Sequence, residues 1–168
     1  MHTPRLPMLT VFGLGRLRPA PGTWGSLPPV VLAGLLLAAG VGPASPAWFI
    51  VFVGVMLVFS AACVIQGDLA ESVFGKKDHG SIVADETAGQ CVTLLPLALL
   101  PEPALATPLA AAFTLVLCFL AFRAMDIVKP WPADYTQKLA AGWGVLIDDL
   151  FAGLYGFFIV LAAAAIAA

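Results

Sequence analysis

Charge is what this chain has least of. Only 11 % of its 168 residues are charged, against 61 % apolar. An ordinary soluble domain carries about 25 % charged and about 45–50 % apolar residues, so this shortage excludes an ordinary soluble globule and, more strongly, a disordered chain. A basic excess is missing too. Eight Lys and Arg face ten Asp and Glu, for a net charge of −2, so no nucleic-acid partner is expected. Cysteine is scarce: Cys63, Cys91 and Cys118 are far apart, odd in number and form no C-x-x-C pair. That argues against a disulfide framework or a zinc knuckle and leaves three small buried apolar residues. Cys118 and Arg123 stand one residue too close for a cysteine-phosphatase C-x5-R loop. No cleavable signal is expected, because the apolar patch over 6–14 is short and lacks a small-residue cleavage site.

What is abundant is apolar helix. The length suits one domain over 1–168, and the mean hydropathy is +0.99. Apolar stretches at 27–41, 47–65, 82–100, 104–125 and 145–168 predict an all-α fold. The expected architecture is a compact multihelical integral membrane protein with about five apolar helices. A span needs about 20 residues to cross roughly 30 Å of hydrocarbon. The second, fourth and fifth stretches meet that. The first is short and the third opens on carboxylates, so a full span and a re-entrant helix both stay open for these two. Prolines 43, 46, 101, 103, 130 and 132 mark the breaks, since proline cannot continue a helix. Pro96 predicts a kink, and Pro28 and Pro29 fit a first helical turn.

The basic residues orient these spans. Arg5, Arg16 and Arg18 precede the first, Lys76 and Lys77 lie between the second and third, and Arg123, Lys129 and Lys138 lie between or at the edges of the fourth and fifth. With five spans all eight fall on one side, which the positive-inside rule makes cytoplasmic. Nine of the ten acids, all but Glu102, lie in the same segments or at the adjoining span ends. Asp85, Glu86, Asp126, Asp148 and Asp149, from three helices, therefore reach about one depth.

Acids at the edge of a membrane helix are costly unless paired, hydrated or metal-bound. Gly89 and Gly153 follow the two acid pairs at helical spacing and allow close helix approach. Clustered carboxylates with few nitrogens favour Mg²⁺ or Mn²⁺ over Zn²⁺. Arg123, Asp126 and Lys129 share a helix face and make a phosphate site beside such a metal, although basic residues at a membrane edge also snorkel to headgroups. The turn P-G-T-W-G-S over 21–26 feeds a helix N-terminus, where anions bind, and reads equally as a plain loop. Asp78 or Ser81 caps the third helix; His79 beside them is a metal ligand, an acid or neither. Other membrane phosphatase and phosphotransferase signatures are absent: there is no D-G-x2-A-R motif, no P-S-G-H motif and no D-x-D-x-T/V nucleophile.

Four segments then resemble one family. They are A-P-G-T-W-G-S over 20–26, D-H-G-S-I-V-A-D-E-T-A-G over 78–89, F-R-A-M-D-I-V-K-P-W-P over 122–132 and G-W-G-V-L-I-D-D-L-F-A-G over 142–153. In this order and across most of the chain they resemble phosphatidylglycerophosphatase A, a bacterial lipid phosphatase family. Ala84 and Thr87 are small departures. The resemblance implies Mg²⁺-dependent hydrolysis of phosphatidylglycerophosphate to phosphatidylglycerol and phosphate, at the cytoplasmic face of the bacterial inner membrane. On that expectation Asp85, Glu86, Asp148 and Asp149 hold one or two Mg²⁺, with one of each pair turned to the metal and the other to water or a base. Asp126 supports them, Arg123 and Lys129 stabilise phosphoryl charge, and Thr23 and Ser26 meet the substrate. His79 protonates the leaving oxygen. Two rival readings are an ion transporter, which needs acids on both sides of the bilayer, and a structural partner in a lipid-synthesis complex, which does not need so many acids beside Arg and Lys.

Overall fold

A computed structural model describes residues 6–76, 79–100, 104–131 and 141–167. Among these, every regular element is helical. A 3-10 segment, Val11–Arg16, leads into α1 (Pro21–Ala38), α2 (Pro46–Phe74) and α3 (Ala84–Leu94). A second 3-10 segment, Leu95–Leu99, follows, then α4 (Pro108–Val128) and α5 (Ala141–Ala167). Four of these helices (α1, α2, α4 and α5) are long and apolar enough to cross a membrane.

Local chemistry sets several boundaries. The Ser45 hydroxyl accepts the Ala47 N–H at 3.2 Å and opens α2, which runs past the expected residue 65 to Gly75, a left-handed stop at φ 68°. The Thr107 hydroxyl accepts the Ala110 N–H at 3.1 Å and opens α4. Pro96 does break the third stretch: the α-helix ends and 3-10 geometry takes over at Leu95.

Two expectations are corrected. The glycine-rich segment ahead of the first span is itself helical, because Pro21 sits in the first turn, where a missing N–H costs nothing. Pro28 and Pro29 therefore lie inside α1 rather than at its start. A helical proline leaves the carbonyl four residues back without its donor. For Pro29 that carbonyl is Gly25, and the Thr87 hydroxyl takes it at 2.7 Å. Of the two alternatives open for the third stretch, the short helix holds. α3 is an 11-residue helix carrying Asp85, Glu86, Thr87, Gln90 and Thr93. It is central, packed on α1, α2, α4 and α5, and nine of its eleven residues are buried, so its polar side chains face protein rather than lipid.

Glycines let these helices touch. A Cβ at Gly89 would lie 2.6 Å from the Phe122 ring and 2.9 Å from the Asp149 carbonyl carbon; one at Gly153 would lie 2.9 Å from Val92 Cβ. Real Cβ atoms do not approach backbone that closely, so the α3–α5 crossing requires glycine on both sides. Trp48, fully buried, donates its indole N–H to the Leu94 carbonyl at 3.3 Å and ties the start of α2 to the end of α3. The opposite end of α3 meets Gly15, Gly22 and Gly25 through Ser81, Glu86 and Val83. The N-terminal 3-10 segment, the start of α1 and the start of α3 thus gather at one end of the bundle, where the carboxylates are.

Candidate active site

The first turn of α3 supplies Asp85 and Glu86, both placed there by a helix that begins one residue earlier. The Asp85 carboxylate accepts the Glu86 N–H at 3.0 Å, an acid at a buried helix N-terminus. Across the Gly89 crossing, α5 presents Asp149. One ligand oxygen from each of Asp85, Glu86 and Asp149 lies within 4.8 Å of the other two. Asp148, about 100° further round α5, turns instead to Lys129, whose ammonium donates to it. Lys129 holds a left-handed conformation at the end of α4, which swings its side chain back toward α5.

A second ion pair borders the triad. Arg123 donates to Asp126 at 2.5 Å, one turn along α4. The same guanidinium nitrogen lies 3.5 Å from the Ser26 hydroxyl, which itself donates to the Gly22 carbonyl at 2.7 Å. Gly22 is wedged between the two partners: a Cβ there would sit 2.8 Å from an Arg123 nitrogen and would overlap a Glu86 oxygen. The N-terminus of α1, which has no side-chain cap, is therefore pressed onto the acids and the arginine.

Two cations serve five carboxylates here. Glu86 Oε2 and Asp149 Oδ2 are buried with no hydrogen-bond partner among the described residues. Burial pushes the Glu86 carboxyl up to about 8, and the carboxylates of Asp149 and Asp126 add to the rise against the pull of Asp85 and Arg123. Burial alone would lower Lys129, but Asp148 and the other acids outweigh it and hold the ammonium charged. Bare buried carboxylate oxygens at this spacing suit a hard divalent cation, so the residues present fit a metal.

The geometry assembles Asp85, Glu86, Asp149, Arg123 and Asp126 as the spacing predicts. It separates Asp148, which faces Lys129. Ser26 is fully buried and Thr23 half-buried. The His79 ring stacks on Phe74 with centroids 4.5 Å apart, and its Nδ1 accepts the Ser81 N–H at 3.2 Å. Gly22 belongs to the segment read as an anion site, whereas Thr87 is not read as part of the site; its one signal in the sequence is Pro29, which orphans the Gly25 carbonyl. Asp78 lies outside the described residues.

The sequence model of the family Phosphatidylglycerophosphatase A matches residues 8–164. The chain belongs to that family. A phosphatidylglycerophosphatase A of Haemophilus influenzae is 36 % identical over 90 % of this chain and 83 % of its own length. That of Escherichia coli is 32 % identical over 85 % of this chain and 73 % of its own. A protein of Bacteroides thetaiotaomicron with the provisional name phosphatidylinositol-3-phosphatase is 30 % identical over 94 % of this chain and 93 % of its own. No solved structure matches. The chain is thus a phosphatidylglycerophosphatase A family enzyme, a lipid phosphatase of phosphatidylglycerol synthesis with four candidate membrane helices. The transporter and structural-partner readings give way to it.

Proposed function

We propose that the chain hydrolyses the phosphomonoester of phosphatidylglycerophosphate in a Mg²⁺-dependent reaction, releasing phosphatidylglycerol and inorganic phosphate. The observation that carries this is the triad itself: three carboxylates from α3 and α5 meet within 4.8 Å, beside Arg123 and the start of α1. Asp85, Glu86 and Asp149 hold the metal. Mg²⁺ there would polarise the phosphoryl oxygens and acidify a bound water.

The chain's own groups do the rest. Arg123, fixed by Asp126 and bordered by Ser26, offers N–H donors to the phosphoryl oxygens. Lys129, fixed by Asp148, adds a point charge where negative charge grows. The N-terminus of α1 turns its dipole to the same oxygens, with Thr23 at the rim. A water oxygen forms the new bond to phosphorus, the ester bond to the glycerol oxygen breaks, and a proton passes to that oxygen. His79 Nε2 is the atom left to deliver it, since Nδ1 is engaged. The bundle end carrying Arg16, Arg18, Lys76 and Lys129 is the cytoplasmic one, which puts the site under the inner leaflet's headgroups.

The test is phosphate release from phosphatidylglycerophosphate by protein purified in detergent. Release should stop in EDTA and return with Mg²⁺. Undiminished turnover in EDTA would remove the metal from the reading. No release under any metal, with release from a phosphoinositide, would replace the substrate by that named for the Bacteroides relative.

A further inference from the structure

We propose that Tyr155 is a positioning residue for the reaction: its hydroxyl holds the main chain just beyond α4 so that Lys129 stays on Asp148 beside the acid triad. This rests on the part given to Lys129 above. The contact is direct. Tyr155 Oη donates to the Trp131 carbonyl at 2.9 Å, two residues past Lys129.

The backbone at Lys129 needs holding. Pro130 disfavours the right-handed helix for the residue before it, and Lys129 turns left-handed instead, at φ 46° and ψ 61°. Glycine takes that conformation freely, whereas a residue with a Cβ takes it at a cost and keeps it where the surroundings fix it. Two contacts from outside α4 do so. Asp148 takes the Lys129 ammonium, and Tyr155 takes the carbonyl of Trp131. Both come from one stripe of α5. Seven residues turn a helix through about 700°, so Asp148 and Tyr155 lie about 20° apart round the axis and about 10 Å apart along it. A long side chain on a helix points back toward the N-terminus, which brings the half-buried Tyr155 back toward Asp148. The Trp131 ring takes no part in this bond and is 80 % exposed. The segment is thus held at one end through a charge beside Asp149 and at the other through its backbone. With the second hold gone, the lysine is a point charge on a flexible four-carbon stem whose root can move.

Tyr155→Phe removes the hydroxyl and keeps the ring. With phosphatidylglycerophosphate and Mg²⁺ in detergent, its kcat/KM should fall about three- to tenfold, the scale of one hydrogen bond. Lys129→Met should also lower kcat/KM, and adding Tyr155→Phe to it should cost nothing more. A merely structural hydroxyl would cost the same factor in both backgrounds; that result, or full activity in Tyr155→Phe, overturns the proposal. A second measurement does not depend on turnover. The bond uses the Trp131 main chain, so Trp131→Cys leaves it in place, and Cys63, Cys91 and Cys118 are buried, so a thiol spin label goes to position 131. Its electron paramagnetic resonance lines should sharpen when Tyr155→Phe is added, and an unchanged line shape overturns the tether. Full activity in Lys129→Met would defeat the part given to Lys129 itself, and the spin label separates that failure from a missing tether.

Discussion

Thr87 donates its hydroxyl proton to Gly25, the carbonyl that Pro29 leaves without a helical donor. At 2.7 Å this contact is shorter than the 3.1 Å from the same hydroxyl to Val83 in its own helix. It fastens the start of α1 onto the first turns of α3, which is how Gly22 comes to rest between Glu86 and Arg123. Thr87→Val keeps the shape and strands a buried carbonyl. The expected cost is about 1–3 kcal/mol, read as a lower melting temperature in detergent, together with lost turnover. Thr87→Ser should behave like wild type. Adding Pro29→Ala to Thr87→Val returns an N–H to Gly25 and should recover part of the stability; no recovery would mean that the carbonyl is not the cause.

The α3–α5 crossing predicts steep sensitivity at two glycines. Gly89→Ala and Gly153→Ala each put a methyl group against backbone. Overpacking of this kind costs typically about 1–3 kcal/mol, and here it also moves Asp149 away from Asp85 and Glu86. Both variants should lose activity and melt earlier. Gly54→Ala, where a Cβ would meet nothing within 4 Å, is the control and should do neither. Normal activity in Gly89→Ala would contradict the close approach.

Asp148 and Asp149 are neighbours with different work in this reading. Asp149→Asn should abolish most turnover and weaken Mn²⁺ binding, measured by calorimetry or by electron paramagnetic resonance. Asp148→Asn leaves the triad whole but frees Lys129, so it should raise KM more than it lowers metal affinity. Equal loss of metal binding in both variants would show that Asp148 is a ligand as well.

Arg123 and Asp126 should behave as one unit. Arg123→Gln strands a buried carboxylate and removes the forked donor, so turnover should fall about 100-fold, the scale on which a charge-stabilising donor acts. Arg123→Lys should not rescue it, because a point charge cannot replace two aligned N–H donors. A double-mutant cycle with Asp126→Asn should give strong coupling. Additive effects would count against the pair.

Much of the candidate site is legible in the sequence. The acid pairs at 85–86 and 148–149, the arginine at 123 and the glycines at 89 and 153 all followed from helical spacing and from the cost of placing charge beside lipid. What misled was α1. Six residues rich in Pro and Gly read as a turn because glycine and proline are weak helix formers on their own. Packing decided otherwise, since Thr87 and Val83 hold that segment in helical form from a distance of some 60 residues. For the third stretch a full span and a re-entrant helix both stayed open for a similar reason. Its apolar content marked it as membrane-embedded, whereas its neighbours, not lipid, cover its polar side chains.

The linear order of residues alone determined that this is a helical membrane protein of eight cations and ten anions with its chemistry gathered near one end. Composition and periodicity govern those properties because burial against lipid acts on each segment separately. Which of two adjacent aspartates joins Asp85 and Glu86 and which meets Lys129, and that a helix tip rather than a loop closes the site, only the tertiary structure decided. Those choices depend on the rotation of one helix against another, and that rotation is set by glycine contacts and a single hydroxyl between residues far apart in the chain.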